Sequence, residues 1–153
     1  MDRLWSPWRY TYIRSASPSD ACIFCVKPAE NDDRGNYILH RGEHNFVLLN
    51  LYPYTNGHLL IAPYEHVATL EQARPEALAE MMSLTRESET HLRAVYNPRG
   101  VNLGMNIGES AGAGVAGHIH MHVLPRWPGD ANFMTVVGET RVLPESLEAT
   151  YEK

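Results

Sequence analysis

Residues 118–124 read HIHMHVL, and the alternation of imidazoles with apolar side chains in this stretch decides the fold. In an extended strand successive side chains point to opposite faces. His118, His120 and His122 therefore share one face, while Ile119, Met121 and Val123 enter a core on the other. A lone histidine is more often a satisfied structural residue. Three in strict alternation are costly on an apolar strand unless they act together or bind something. Two chemistries use such an array. One is a metal site, since neutral imidazole is a common ligand. In the other, one imidazole attacks a phosphorus atom while its neighbours hold its tautomer and the phosphate charge.

Directly upstream, residues 108–117 read GESAGAGVAG, four glycines and three alanines in ten positions. Such a loop brings backbone N–H groups close to an anion. It lacks the Lys-Ser/Thr ending of a P-loop and the spacing of a dinucleotide fingerprint. Glycine-rich loop and histidine face together favour phosphoryl or nucleotidyl chemistry over a bare metal site.

Working outward, three strand-like runs precede this region, at Tyr37–His40, Asn45–Asn50 and His58–Pro63. The first two flank a short RGEH turn and form a hairpin. The third follows LYPYTNG, whose Pro and Asn-Gly mark a chain reversal. A fourth run, VNLGMNI, spans Val101–Ile107. One long helix is expected from Pro75 to Tyr96, with Pro75 and Glu76 suited to its first turn. Leu78, Met81, Thr85, Leu92 and Val95 form its apolar stripe, Met81 and Met82 are taken as core filler, and NPRG ends it. A short helix is expected near Glu145–Glu152. These elements predict a single α+β domain over residues 1–153, with a largely antiparallel sheet of about five strands. Residues 1–21 form an aromatic N-terminal arm, suited to pack on a partner subunit or on its own core, and residues 126–153 a C-terminal tail segment.

The composition narrows the function classes. The chain has 153 residues, is 44% hydrophobic and 20% charged, and carries a formal net charge of −5. The negative balance argues against nucleic-acid binding, which needs a concentrated basic surface. No apolar run approaches the ~20 residues of a membrane span. The start MDRLWSPWRY lacks an apolar core of signal-peptide length, so a cytoplasmic location is the expectation. Cys22 and Cys25, in ACIFCV, are too close for a stabilising disulfide. From spacing alone they are a metal knuckle, a redox pair or two small buried residues; no βαβ pattern surrounds them to support the redox reading.

HIHMHVL resembles the signature of the histidine triad (HIT) family, matching it at every place. The likeness extends to FVLLNLYPYTNGHLLIAP, similar to the family's nucleoside-binding strand and turn, and to NIGESAGAGVAG, similar to its phosphate loop. The tail RWPGDANFM with VLP and TY resembles the branch of diadenosine tetraphosphate phosphorylases and related hydrolases. The resemblance implies a nucleotide-binding enzyme, a nucleotidyltransferase or hydrolase, that cleaves dinucleoside polyphosphates through a nucleotidyl-histidine on His120. His122 would donate to the leaving-group or phosphate oxygen and His118 would orient the array. Asn50 would contact the ribose hydroxyls and Asn106 the phosphate side. The alternatives are a nucleoside phosphoramidate hydrolase, a metal-dependent hydrolase using all three histidines, and a nucleotide-binding adaptor without catalysis. A homodimer is implied, joined through the long helix and an edge strand.

The phosphate loop departs from the family. Many members place Gly-Gln followed by Ser or Thr before the triad, where this chain has Ala111-Gly112-Ala113-Gly114. Backbone N–H groups from Gly112 and Gly114 to Val115, with Ser110 as a helper, would then do more of the binding. The resemblance also implies a structural zinc held by Cys22, Cys25, His66 and His118, two thiolates and two imidazoles. Such a zinc would fix the ring of His118 beside the nucleophile. His40, His44, His58 and His91 are taken as structural or surface residues, and Glu139 and Arg141 as a solvated pair. Trp127 and Phe133 are taken as tail core, with a second reading on the leaving-group side of the pocket.

Overall fold

The computed structural model describes residues 21–130 and 143–153. Most of the aromatic arm, together with Phe133, Glu139 and Arg141, lies outside the described residues. Nine elements follow in order: α1 (Ile23–Ala29), β1 (Ile38–Arg41), β2 (Asn45–Leu49), β3 (Leu59–Pro63), α2 (Pro75–Tyr96), β4 (Gly100–Gly104), a 3₁₀ turn (Glu109–Ala111), β5 (Met121–Arg126) and α3 (Leu147–Tyr151). The five strands form one antiparallel sheet in the order β1-β2-β3-β5-β4. The expected α+β architecture, the long helix and the short C-terminal helix are all present.

The central strands β2 and β3 are buried at every position. Period-two alternation splits their side chains between two layers. On one face Val47, Leu49, Leu59, Ile61 and Val123 pack against Met81, Leu84 and Leu92 of α2. On the other, Phe46, Leu48, Leu60 and Ala62 gather with Ile38 and with Phe24 of α1. The triad lies on this second face, opposite the long helix.

Several boundaries differ from expectation, each for a physical reason. Helix α1 was not anticipated: seven residues with Pro28 inside give too short a pattern to carry a period. Sheet pairing of the histidine strand begins at Met121, not His118, because Ile119 N–H bonds to Val67 O and Pro63, at the end of β3, has no N–H to extend the ladder. Strand β4 stops at Gly104, opposite His122, one residue from the start of β5. On α2, Ala77, Met81, Leu84, Thr85, Ser88 and Leu92 are buried, whereas Val95 and Met82 are exposed. Neighbouring helical residues lie about 100° apart, so Met81 and Met82 do not share the buried face.

Two contacts brace the sheet. The Glu80 carboxylate accepts the N–H groups of Glu43 and His44 and the Nδ2 of Asn45, tying the β1–β2 turn to α2. Burial would raise its pKa, but these donors hold it below the ordinary value. Gly57, in the reversal before β3, has φ +72°, and a Cβ there would sit 3.0 Å from Tyr96 and 3.1 Å from Leu92.

Candidate functional site

Four imidazoles form a row across the sheet face under α1. His58, one residue before β3, is 1% exposed, and His118, His120 and His122 are 1%, 5% and 9% exposed. The His120 and His122 ring centroids are 4.9 Å apart, and those of His58 and His122 are 5.1 Å apart. Burial lowers the pKa of each triad ring. For His118 the neighbouring His66 and His120 add to the effect, and for His122 burial and His120 bring it down to about 4. All three are therefore neutral near pH 7, and each has one N–H and one lone pair to place.

The partners place them. His118 Nε2 lies 2.8 Å from Pro63 O, and a carbonyl only accepts, so Nε2 carries the proton and Nδ1 the lone pair. His120 Nδ1 lies 2.9 Å from His118 O, so Nδ1 carries the proton and Nε2 is left as a lone pair. Tyr54 N–H donates to His58 Nδ1 at 3.1 Å, so His58 is protonated on Nε2. That Nε2 donates over 2.9 Å to His122 Nδ1. His122 therefore carries its proton on Nε2, a buried donor without a hydrogen-bond partner among the described residues. Burying such a group unsatisfied costs about 1–3 kcal/mol, which a bound anion would recover. The array thus offers a nucleophilic lone pair on His120 beside a vacant N–H donor on His122.

His58, expected among the structural or surface residues, instead hydrogen-bonds His122 within the row. Its signal is its phase, since positions 58, 60 and 62 share one face. That phase identifies a partner only once β3 and β5 are known to be neighbours.

The other anticipated residues are placed as follows. Asn50 closes the end of β2: its Oδ1 accepts Tyr52 N–H at 2.9 Å, and its Nδ2 lies 3.3 Å from His58 Nδ1. One lone pair and one N–H of its amide remain for a ligand. Asn106 is half-buried just after β4. In the glycine loop, Gly112 closes the 3₁₀ turn with φ +86°. Its N–H is already taken by Glu109 O, and that of Ala113 by Gly108 O. Of the expected donors from Gly112 to Val115, the tight turn uses the first two, and the N–H groups of Gly114 and Val115 lie outside these bonds. Gly114 and Ser110 are exposed. Trp127 is half-buried and meets Tyr96 edge-on at 6.2 Å. His40 and His91 are exposed and His44 is half-buried.

At the other end of the row, Cys22, Cys25, His66 and His118 bring one ligand atom each to within 4.8 Å of one another. Cys22 Sγ and Cys25 Sγ lie 3.4 Å and 3.7 Å from His118 Nδ1, Cys25 Sγ lies 3.4 Å from His66 Nδ1, and the two Nδ1 atoms are 3.3 Å apart. A tetrahedral zinc with Zn–S near about 2.3 Å and Zn–N near about 2.0–2.1 Å has edges of about 3.3–3.8 Å, so this donor set fits the ion. The ligating lone pair of His118 is the one its bond to Pro63 leaves free. The three triad histidines do not share an ion in this way, since each Nδ1 has a different partner. Among the described residues no helix is long and apolar enough to cross a membrane.

Residues 33–129 match the HIT domain. An AP-4-A phosphorylase of Mycobacterium tuberculosis is 40% identical over 158 aligned residues, covering 98% of this chain and 80% of that protein. Among solved structures, a zinc-bound histidine triad family protein of Mycobacterium smegmatis superposes with a TM-score of 0.68 at 28% identity, covering 86% of this chain and 89% of the other. A histidine triad nucleotide-binding protein of Sulfolobus tokodaii gives 0.65 at 26% identity, covering 86% and 92%. A domain match across most of the chain and a relative this similar along nearly all of it make the protein a member of the HIT family.

Proposed function

We propose that the protein is a nucleotidyltransferase that cleaves dinucleoside polyphosphates of the diadenosine tetraphosphate class, with inorganic phosphate as acceptor. The observation that carries this reading is the pair of tautomers at the centre of the row: a lone pair on His120 Nε2 next to an unsatisfied N–H on His122 Nε2. His120 Nε2 attacks a terminal α-phosphorus, forming a P–N bond as the P–O bond to the remaining polyphosphate breaks. With diadenosine tetraphosphate, ATP departs and AMP stays on the imidazole. A phosphate oxygen then attacks the same phosphorus, the P–N bond breaks, and ADP leaves with the His120 lone pair restored. Two displacements replace one, the usual logic of covalent catalysis. His122 holds its N–H against the oxygen that gains charge, where a preorganised donor in a dry site is worth most. Asn50 contributes its remaining amide groups to the ribose, and the N–H groups of Gly114 and Val115 face the phosphates, with Asn106 and Ser110 at the loop's margin. Cys22, Cys25, His66 and His118 would hold a zinc that supplies structural cross-linking, and His118 orients its neighbour from there. The phosphorolytic choice of acceptor draws on the likeness to AP-4-A phosphorylase.

The test is product analysis by anion-exchange chromatography after incubation with diadenosine tetraphosphate, with and without phosphate. ADP and ATP formed only with phosphate support the proposal. AMP and ATP formed without phosphate would make the enzyme a hydrolase. No products in either tube, or full turnover by His120→Ala, would sink the reading.

A further inference from the structure

Between the two cysteines of the knuckle sits Phe24, 1% exposed. Its ring is 5.3 Å from that of His118, tilted by 54°, and 4.8 Å from that of His120, tilted by 37°. Helix α1 buries only Phe24 and Pro28, while Ile23 and Val26 on its other sides are exposed. A seven-residue helix does not hold itself together in water, so its seat on the sheet depends on its anchors. At its C-terminal end Lys27 and Pro28 are hydrogen-bonded to Asn36 and Arg41; its first turn is anchored by Phe24 on the sheet and by the flanking thiols, which reach His118 and His66. The His120 ring is held in turn by one hydrogen bond, to His118 O, and by ring contacts with Phe24 and His122. One turn of chain therefore carries both the metal-ligating atoms and the flat surface against the nucleophile.

We propose that Phe24 is a positioning residue for His120, and that occupancy of the Cys22–Cys25–His66–His118 cluster acts on the reaction through it. This rests on the reading of His120 as nucleophile. With the knuckle closed, the first turn of α1 presses Phe24 on His120 and keeps the imidazole plane where Nδ1–H meets His118 O and Nε2 faces the phosphorus. With it open, the helix loses its two flanking anchors and the ring gains freedom. Small displacements of an attacking atom are expensive: about 1 Å of misplacement can cost on the order of 10²-fold in rate.

Truncation to alanine empties a core position, so the informative variant is Phe24→Leu, which keeps apolar bulk and removes the flat ring. It is compared with the wild-type chain, each as purified and after zinc is stripped with a chelator. Metal content is read with a chromophoric indicator and retained folding by circular dichroism. The expected result is that Phe24→Leu holds as much zinc as wild type and keeps KM within about threefold, while kcat falls about tenfold to hundredfold. Stripping zinc from wild type lowers kcat by a similar factor, and stripping it from Phe24→Leu adds less than about threefold, because both perturbations use one route. A Phe24→Leu kcat within about twofold of wild type would overturn the inference. So would equal zinc dependence in both proteins, which would mean the metal acts by another path. His120→Ala runs alongside. If it retains turnover, the nucleophile assignment fails. If it is dead while Phe24→Leu is fully active, only the role of Phe24 is lost.

Discussion

Acidification should destabilise this protein in part through His122. The ring is 9% exposed, and burial, aided by His120, lowers its pKa from the ordinary 6.5 to about 4. Between those values the unfolded chain binds a proton on this imidazole that the folded chain does not. The stability concerned is therefore fully present above pH 6.5 and is lost as pH falls through the window toward 4. The gap corresponds to about 3 kcal/mol at about 1.36 kcal/mol per pH unit, of which about 2 kcal/mol is lost between about pH 7 and pH 4.5. His118 and His120 shift in the same direction and steepen the total. The comparator is His122→Gln, which retains an acceptor for His58 and does not titrate. Urea unfolding of both proteins at a series of pH values should show wild type losing about 2 kcal/mol more than the variant over that range. Carboxylate titration, and any loss of a metal from the cysteine cluster, are common to both proteins and cancel in the difference. Parallel curves for the two proteins would refute the claim that His122 is buried and neutral.

Three further outcomes are expected. His58→Leu removes the donor that sets the His122 tautomer, so kcat should fall by about 10-fold or more with a smaller change in KM, in steady-state assays on the same substrate. Glu80→Ala releases the three hydrogen bonds that tie the β1–β2 turn to α2; at about 1 kcal/mol each, chemical unfolding should show a loss of about 1–3 kcal/mol with turnover unchanged at room temperature. Gly57→Ala meets both a positive φ and contacts of 3.0–3.1 Å with Tyr96 and Leu92, so thermal melts should report a loss of about 1–3 kcal/mol.

Much of this was legible beforehand where the information is local. The apolar runs NFVLL and LLIAP announce strands buried on both faces, and HIHMHVL announces its own two faces. The Pro75 start and the NPRG stop bracket the long helix at the residues observed. What was not legible depends on contacts between distant segments. His58 and His122 are 64 residues apart, and only the insertion of β5 beside β3 brings them together. Helix α1 owes its existence to Phe24 and Pro28 docking on the sheet, which seven residues of sequence do not announce. In the glycine loop, composition pointed to free N–H groups without saying which of them the 3₁₀ turn would use up.

Most of the atoms that set the histidine protons are main-chain atoms, the carbonyls of Pro63 and His118 and the N–H of Tyr54, with the Asn50 amide joining at His58 Nδ1. None of the main-chain groups depends on which side chain sits at the donor or acceptor position. The protonation pattern of the row is therefore encoded largely by the path of the backbone: at position 54 the N–H sets it, while the aromatic ring packs 4.8 Å from His58 and 6.1 Å from His122. Proline is the exception. It alone lacks the N–H that faces His58, and a change there would leave the Asn50 amide, 3.3 Å from His58 Nδ1, as the donor that holds the relay's tautomers.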